Sequence, residues 1–218
     1  CGSEGLLGVI TEVTAKILKK PQVVKAALIG FPTIEEGANA TSEIISNGII
    51  PAGMEIMDKA LIEATDNFSK AGYPRDAELL LIVEVDGTES EVDILLRDVS
   101  SICKQNNCSS LKLSQSEKER LSFWSGRKSA FPACGAMAPD YYCMDGVIPR
   151  GKLAEALLEI KRLSEKYNLP VANCFHAGDG NLHPLIMYNG ADKEQFRKTE
   201  EFGAEILKAC VRLGGVIT

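Results

Sequence analysis

The chain is poor in several things that would direct its chemistry. It has two histidines, one tryptophan and 6% aromatic residues in 218, so an imidazole site must draw on one of those histidines or both. No apolar run approaches the ~20 residues of a membrane-spanning helix, and no leader with a basic start opens the chain, which excludes a membrane anchor read from sequence. Positive charge is in deficit. With 24 Lys and Arg against 30 Asp and Glu, the formal net charge is -6 with both signs interspersed, which leaves no basic face for a phosphate backbone and excludes nucleic acid as a partner. Paired cysteine motifs are missing too. Cys1, Cys103, Cys108, Cys134, Cys143, Cys174 and Cys210 are odd in number, scattered and without a C-x-x-C spacing. Neither a disulfide scaffold nor a zinc ribbon is indicated; reduced cytoplasmic thiols, each a small buried apolar residue, fit better. The chain opens on Cys1-Gly2-Ser3-Glu4-Gly5 without a methionine and stops in Leu213-Gly214-Gly215-Val216-Ile217-Thr218, partway into what reads as a strand. It reads as a piece of a longer protein.

What is present is ordinary globular material, 45% hydrophobic and 25% charged, long enough for one large or two small domains. Both histidines fall in one stretch, Asn173-Cys174-Phe175-His176-Ala177-Gly178-Asp179-Gly180-Asn181-Leu182-His183-Pro184. Asp-Gly between apolar runs signals a two-residue hairpin turn, because both central positions of such a turn need positive φ. With Asp179-Gly180 at the turn, Gly178 faces Asn181, Ala177 faces Leu182 and His176 faces His183. Opposed residues on one face have Cβ atoms roughly 4.5–5.5 Å apart, so two imidazoles could share one metal ion or one substrate oxygen. Ala177 and Gly178 leave room for a ligand near the backbone, and Asp179 either orients an imidazole or caps the turn. Two imidazoles are an incomplete ligand set, and a third ligand must come from elsewhere.

The glycine-rich opening leads into an alternating segment, residues 8 to 18, expected as a strand; backbone N–H groups of such a turn suit a phosphate or pyrophosphate, although a plain tight turn explains the residues as well. After Pro21, apolar runs alternate with helical patterns. Strands are expected over Val23 to Phe31, Pro51 to Met57, Ala77 to Asp86, Ser109 to Leu113 and Tyr141 to Ile148. Helices are expected from Thr33 to Asn47, Asp58 to Ala71, Thr88 to Gln105, Gln115 to Ser125, Arg150 to Tyr167 and Asp192 to Leu213, with Thr33 capping the first and Glu36 at its capping-box position. The second half repeats the rhythm of the first. The expected fold is α+β and ferredoxin-like, a mainly antiparallel sheet with helices packed on one face.

Between the halves, Phe123 to Asp140 shows little periodicity and reads as a long functional loop. It places Trp124 beside Arg127-Lys128, where the planar guanidinium fork and a rigid ring would hold a carboxylate; a core tryptophan with two solvated cations is the competing reading. Arg150 is a second cationic candidate.

Trp124-Ser125-Gly126-Arg127-Lys128-Ser129-Ala130-Phe131, the run from Pro139 to Arg150 and the His176 to Pro184 stretch closely resemble the FAD-binding D subunits of bacterial glycolate oxidases. These belong to the vanillyl-alcohol-oxidase type of flavoproteins, with D-lactate and D-2-hydroxyglutarate dehydrogenases. The resemblance implies that residues 1–20 are the tail of an FAD-binding domain, with Gly2, Ser3, Gly5, Gly8, Val9 and Ile10 touching the cofactor. Residues 21–218 are then the FAD-linked oxidase C-terminal, or substrate cap, domain. It implies further that Arg127 grips a substrate carboxylate and takes part in catalysis, that Asn181 also binds the substrate, and that His176 and His183 bind a divalent metal (zinc, manganese or iron) and take part in catalysis. The expected activity is oxidation of a 2-hydroxy acid, glycolate or D-lactate, by hydride transfer to FAD. Expected partners are other glycolate oxidase subunits, a second flavin-domain subunit and an iron-sulfur subunit, through which a cytoplasmic chain would reach a membrane. The family's Gly-Glu-His-Gly run, carrying the third metal ligand, is expected after Thr218, so this stretch alone is expected to hold FAD poorly and to be inactive. Two other classes stay open: a ferredoxin-like regulatory module without chemistry, and a metal-dependent hydrolase using His176, Asp179 and His183.

Overall fold

The computed structural model describes Ser3 and residues 5–217. In chain order they form β1 (Val23–Phe31), α1 (Ile34–Ser46), β2 (Gly53–Asp58), α2 (Lys59–Ser69), β3 (Leu79–Gly87), α3 (Glu89–Gln105) and β4 (Ser110–Leu113). Then come α4 (Glu117–Lys128), α5 (Ala130–Gly135), β5 (Asp140–Cys143), β6 (Gly146–Val147), α6 (Leu153–Tyr167), β7 (Val171–His176), β8 (Asn181–Tyr188), α7 (Lys193–Arg212) and β9 (Val216–Ile217). A single 3-10 turn, Arg150–Lys152, precedes α6.

Local chemistry sets most of these limits. Thr33 accepts the Glu36 amide at the start of α1, and Thr88 and Glu91 form a reciprocal capping box at α3. Asp192 accepts two amides at the start of α7, and Asn168, in the left-handed region, ends α6. Leu153, Leu157, Ile160 and Leu163 recur at helical spacing on α6 and are all buried.

The strands join one sheet in the order β4-β1-β3-β2-β7-β8-β6-β9, with β5 also on β8, and its pairings are antiparallel. Strands β1 to β4 have the ferredoxin-like order, fourth-first-third-second. Strands β6 to β9 have it again, with α6 and α7 as their crossover helices. Two ferredoxin-like halves therefore meet edge to edge, β2 against β7, through Glu55↔His176, Ile56↔Phe175 and Met57↔Cys174. This is the structural form of the repeated rhythm in the sequence.

Crossover helices α1, α3, α6 and α7 cover one face, where Ile29, Phe31, Leu81, Val83, Phe175 and Phe202 pack. The expectation of a single helical layer needs a correction: α2, α4 and α5 cover part of the other face, over Leu28, Ile82, Leu61, Phe123, Cys174 and Leu185. The reason is in the strands. β3 runs Leu79-Leu80-Leu81-Ile82-Val83 with every residue buried, so both faces need a cover, each such side chain contributing about 1.5–3 kcal/mol of burial.

Three further expectations change. Residues 8 to 18 form no strand; Leu7, Val9, Val13, Ile17 and Leu18 are exposed, because alternation provides a face but here no neighbouring strand to pair with. The strand expected over Tyr141 to Ile148 is two, β5 and β6, interrupted at Met144-Asp145. The loop expected from Phe123 to Asp140 is largely helical, the end of α4 and all of α5.

Asp58 links the two halves. Its Oδ1 accepts the Leu61 amide at 3.0 Å, capping α2, and its Oδ2 accepts the backbone N–H and the side-chain amide of Asn173 on β7 at 3.0 and 2.6 Å. Burial outweighs these donors and pushes the Asp58 carboxyl from 3.8 up to about 6. A folded-state value above the unfolded one means that folding favours the protonated form, so this contribution is complete below about pH 4 and lost as pH rises through 6. Two units correspond to about 3 kcal/mol. Asp58→Asn has no proton to lose, so the stability gap between wild type and variant should narrow by up to ~3 kcal/mol from pH 4 to 7 in urea unfolding. Parallel pH profiles for the two proteins would refute this.

Candidate active site

The face left open by α2, α4 and α5 presents the site. β2 brings Glu55, the charged residue in the apolar run Met54-Glu55-Ile56-Met57; β7 brings His176; β8 brings Asn181 and His183; and the last turn of α4 brings Arg127. Sheet register does the positioning. Glu55 lies directly across from His176, and His176 directly across from Asn181.

This register corrects the expected hairpin. His176 pairs with Asn181 and Cys174 with His183, so the turn holds four residues, Ala177-Gly178-Asp179-Gly180, and the histidines are diagonal neighbours. The Asp179 and Gly180 amides both reach back to the His176 carbonyl, and Asp179 Oδ1 accepts the Asn181 amide at 3.0 Å. The bonds to the His176 carbonyl close the turn over Ala177 and Gly178, the two residues the shorter turn would have placed in the ladder, and the Ala177 amide goes instead to the Met54 carbonyl of β2. Asp179 thus caps the turn. The imidazoles still meet, because diagonal pairs stay within reach of long side chains: ring centroids are 4.9 Å apart with the planes at 89°.

Carboxylates orient both rings. Glu55 Oε1 lies 2.5 Å from His176 Nδ1, and Asp145, between β5 and β6, holds His183 Nδ1. A carboxylate only accepts, so Nδ1 of each ring carries the proton that faces it, and in the neutral imidazole this leaves Nε2 as the atom with the free lone pair. Among the described residues neither Nε2 has a hydrogen-bond partner. This is the arrangement in which a histidine ligates a metal while an outer carboxylate fixes its tautomer, and the donor set fits a divalent cation at His176 and His183. Glu55 also binds Arg127: its Oε2 accepts from Nε at 2.9 Å, and both side chains are nearly buried, 11% and 12% exposed. The Arg127 amide donates to the Tyr73 hydroxyl at 3.0 Å, which in turn donates to the Phe123 carbonyl at 2.5 Å. With Nε engaged, the terminal nitrogens of Arg127 remain as a two-donor fork. Asn181 adds an unanswered acceptor, a buried Oδ1 without a hydrogen-bond partner.

The other candidates separate. Trp124 donates to Glu84 at 2.6 Å, alongside Arg120, and packs over Gly53, so it braces α4 on the sheet and is not a free wall beside Arg127. Lys128 is exposed. Arg150 is exposed on the 3-10 turn, its carbonyl taken by Ser42 of α1, a helix of the opposite face. Gly2 lies outside the described residues. Ser3 is half-buried, while Gly5, Gly8, Val9 and Ile10 are exposed, the two glycines with open space where a side chain would be. Cys134 and Cys174 are buried and Cys143 half-buried; burial pushes the first two thiols up to about 12 and Cys143 to about 11. No disulfide links the described cysteines.

Comparison with known proteins gives the family of the chain. Residues 20–218 match the model of the FAD linked oxidases, C-terminal domain. The chain belongs to that family. Among relatives of this FAD-linked oxidase domain, glycolate oxidase subunit GlcD of Escherichia coli is 50% identical over 217 residues, covering 100% of this chain and 44% of that protein. A mitochondrial D-lactate dehydrogenase [cytochrome] of Arabidopsis thaliana is 32% identical, covering 100% of this chain and 38% of that protein. The chain thus spans less than half the length of these relatives. A solved alkyldihydroxyacetonephosphate synthase shares the fold, with TM-score 0.69 at 17% identity, over 98% of this chain and 43% of that one. Among the described residues, no helix is long and apolar enough to cross a membrane.

Glu55 and Asp145 are the site residues that the sequence did not disclose. Each had a signal: Glu55 is a single carboxylate inside a buried apolar strand, and Asp145 precedes Gly146 where β5 and β6 break.

Proposed function

We propose that this chain is the substrate-facing part of an FAD-dependent 2-hydroxyacid dehydrogenase acting on glycolate or D-lactate. The observation that carries the reading is the convergence on Glu55 of the nearly buried Arg127 fork and the His176 ring, with the His183 ring facing His176 at 4.9 Å. Arg127 would take the substrate carboxylate on its terminal nitrogens, with Asn181 Oδ1 answering a substrate donor. The hydroxyl would face His176 and His183, which would accept its proton or hold a zinc, manganese or iron ion that polarises it. Glu55 and Asp145 would act as positioning residues, fixing which nitrogen of each ring is free. FAD, when bound, supplies the acceptor for the hydride leaving C2. The exposed Gly5, Gly8, Val9 and Ile10 and the half-buried Ser3 fit a role as backbone that closes on the cofactor, a role the sequence extends to Gly2, and residues 21–218 fit a role as substrate cap. As in a glycolate oxidase, the partners would be a second flavin-domain subunit and an iron-sulfur subunit, and a cytoplasmic protein would reach a membrane through them.

Two alternatives lose ground. Asp179, the carboxylate a hydrolase would draw on, is spent on the Asn181 amide at the turn, and a regulatory module gives no reason for a nearly buried arginine fork beside two facing imidazoles.

The test is a polypeptide spanning the full length of the relatives, reconstituted with FAD and mixed anaerobically with glycolate, D-lactate or D-2-hydroxyglutarate. Glycolate or D-lactate should bleach the flavin. Arg127→Lys, which keeps the charge and loses the fork, should slow bleaching about 100-fold or more, the value of one or two charge-assisted hydrogen bonds. Full-rate bleaching in that variant would remove Arg127 from the site, and flavin that no 2-hydroxy acid reduces would overturn the reading.

A further inference from the structure

We propose that Cys143, Asp145 and His183 form a site for one thiophilic divalent cation, of which zinc is the type case, distinct from the facing pair of His176 and His183. Strand register builds it. β5 pairs with β8 through Cys143↔Leu185, so Cys143 is the diagonal neighbour of His183 on the sheet face that also carries His176. Asp145 follows two residues later, where the chain leaves β5, and turns its carboxylate to the same ring. One ligand atom from each residue, a thiol sulfur, a carboxylate oxygen and an imidazole nitrogen, lies within 4.8 Å of the other two.

Ligand atoms of a tetrahedral zinc stand about 3.5 Å apart, so closure needs movements of only ~1 Å. Asp145 already touches His183, so the approach that remains is that of the Cys143 sulfur, and rotation of its side chain about χ1 supplies it while β5 and β8 stay paired. Nothing else claims the thiol strongly; its hydrogen-bond contact is the Met144 carbonyl at 3.9 Å. A sulfur, oxygen and nitrogen set selects zinc and similarly soft cations over magnesium or calcium, and three protein ligands leave a fourth position for water. On binding, Cys143 releases its proton to solvent as the thiolate forms the metal–sulfur bond, and His183 exchanges the Nδ1 proton facing Asp145 for one on Nε2, which frees Nδ1 for the ion with no net change in the ring's protons.

The inference goes beyond the dehydrogenase reading and shares one residue with it. An ion on this site converts Asp145 from the partner of His183 into a ligand beside it and draws His183 away from His176. Occupancy of the thiol site and use of the histidine pair therefore exclude each other, which makes thiophilic cations inhibitors by competition for one imidazole.

The experiment titrates the reduced, metal-free 218-residue chain with cobalt(II) as a spectroscopic stand-in for zinc, and needs neither flavin nor substrate. A failure here leaves the dehydrogenase reading untouched, and unbleached flavin in the full-length protein leaves this site untouched. Wild type should bind one cobalt ion with a near-ultraviolet sulfur-to-metal charge-transfer band that zinc displaces. Cys143→Ser should lose the band, and Asp145→Asn, at an exposed position that does not threaten folding, should weaken binding. His176→Ala, which removes the competing pair, should keep the charge-transfer band and bind cobalt at least as tightly. No cobalt binding by wild type, a band that survives Cys143→Ser, full affinity in Asp145→Asn, or loss of binding in His176→Ala would each overturn the assignment.

Discussion

Glu55→Leu is expected to destabilise the folded chain by about 3–5 kcal/mol, the cost of removing one member of a buried ion pair. The Glu55 and Arg127 side chains are 11% and 12% exposed, so the guanidinium left behind has little water to replace the lost carboxylate. The same change frees His176 Nδ1, which now rests on Glu55 Oε1 at 2.5 Å. Two elements loosen together, because Glu55 ties α4 to β2 through Arg127 and faces β7 through His176. Urea unfolding followed by circular dichroism measures the cost. Adding Arg127→Met to Glu55→Leu should recover much of it, since an apolar pair fills the space without a stranded charge. A cost below ~1 kcal/mol for Glu55→Leu, the range of an exposed ion pair, would mean that Arg127 is held by α4 alone.

The elements of the fold were legible because each carried a local signal. β1 and α1 follow from an apolar run and a threonine cap, α3 from a capping box, and α7 from Asp192 ahead of an amphipathic stretch. The ferredoxin-like class followed from their alternation. What the sequence could not convey was pairing at a distance. That β2 lies against β7 and joins two halves into one sheet depends on edges more than a hundred residues apart, Glu55 with His176. The second helical layer was hidden for a related reason: Phe123 to Asp140 lacks the periodicity of a helix, yet Gly126 keeps α4 close to the Tyr73 ring, which a Cβ at Gly126 would meet at 2.4 Å. Residues 8 to 18 misled in the opposite sense, since their alternation is real but has no neighbouring strand.

The site was half legible. Two histidines flanking an Asp-Gly turn, and an arginine in a stretch with family character, were visible as residue types. The register was not, because a turn of two residues and a turn of four use the same Asp-Gly signal and place the histidines on one face either way. Glu55 and Asp145 stayed hidden because an orienting carboxylate is recognised only by what it touches.

Gly180 shows what the turn does require, and Gly180→Ala is expected to cost about 2–4 kcal/mol. Two terms add. Gly180 sits at φ +82°, where an L side chain costs about 1–2 kcal/mol. A Cβ there would also stand 2.3 Å from the Ile148 carbonyl oxygen, a backbone atom that cannot step aside without breaking the hydrogen bond from the Ile148 amide to the Gly180 carbonyl at 3.0 Å. That bond holds the segment after β6 against the hairpin carrying both histidines, so the substitution should disturb His176 and His183 as well as the turn. Gly178→Ala is the matched control, two residues away with negative φ and nothing within 4 Å of an added Cβ; it is expected to be neutral or to stabilise by up to ~1 kcal/mol through the unfolded chain. Urea midpoints for the two variants, with histidine ring resonances by NMR as the local readout, decide the matter. Equal stabilities, or unshifted ring resonances in Gly180→Ala, would show that the Ile148 contact does not govern the geometry of the histidine pair.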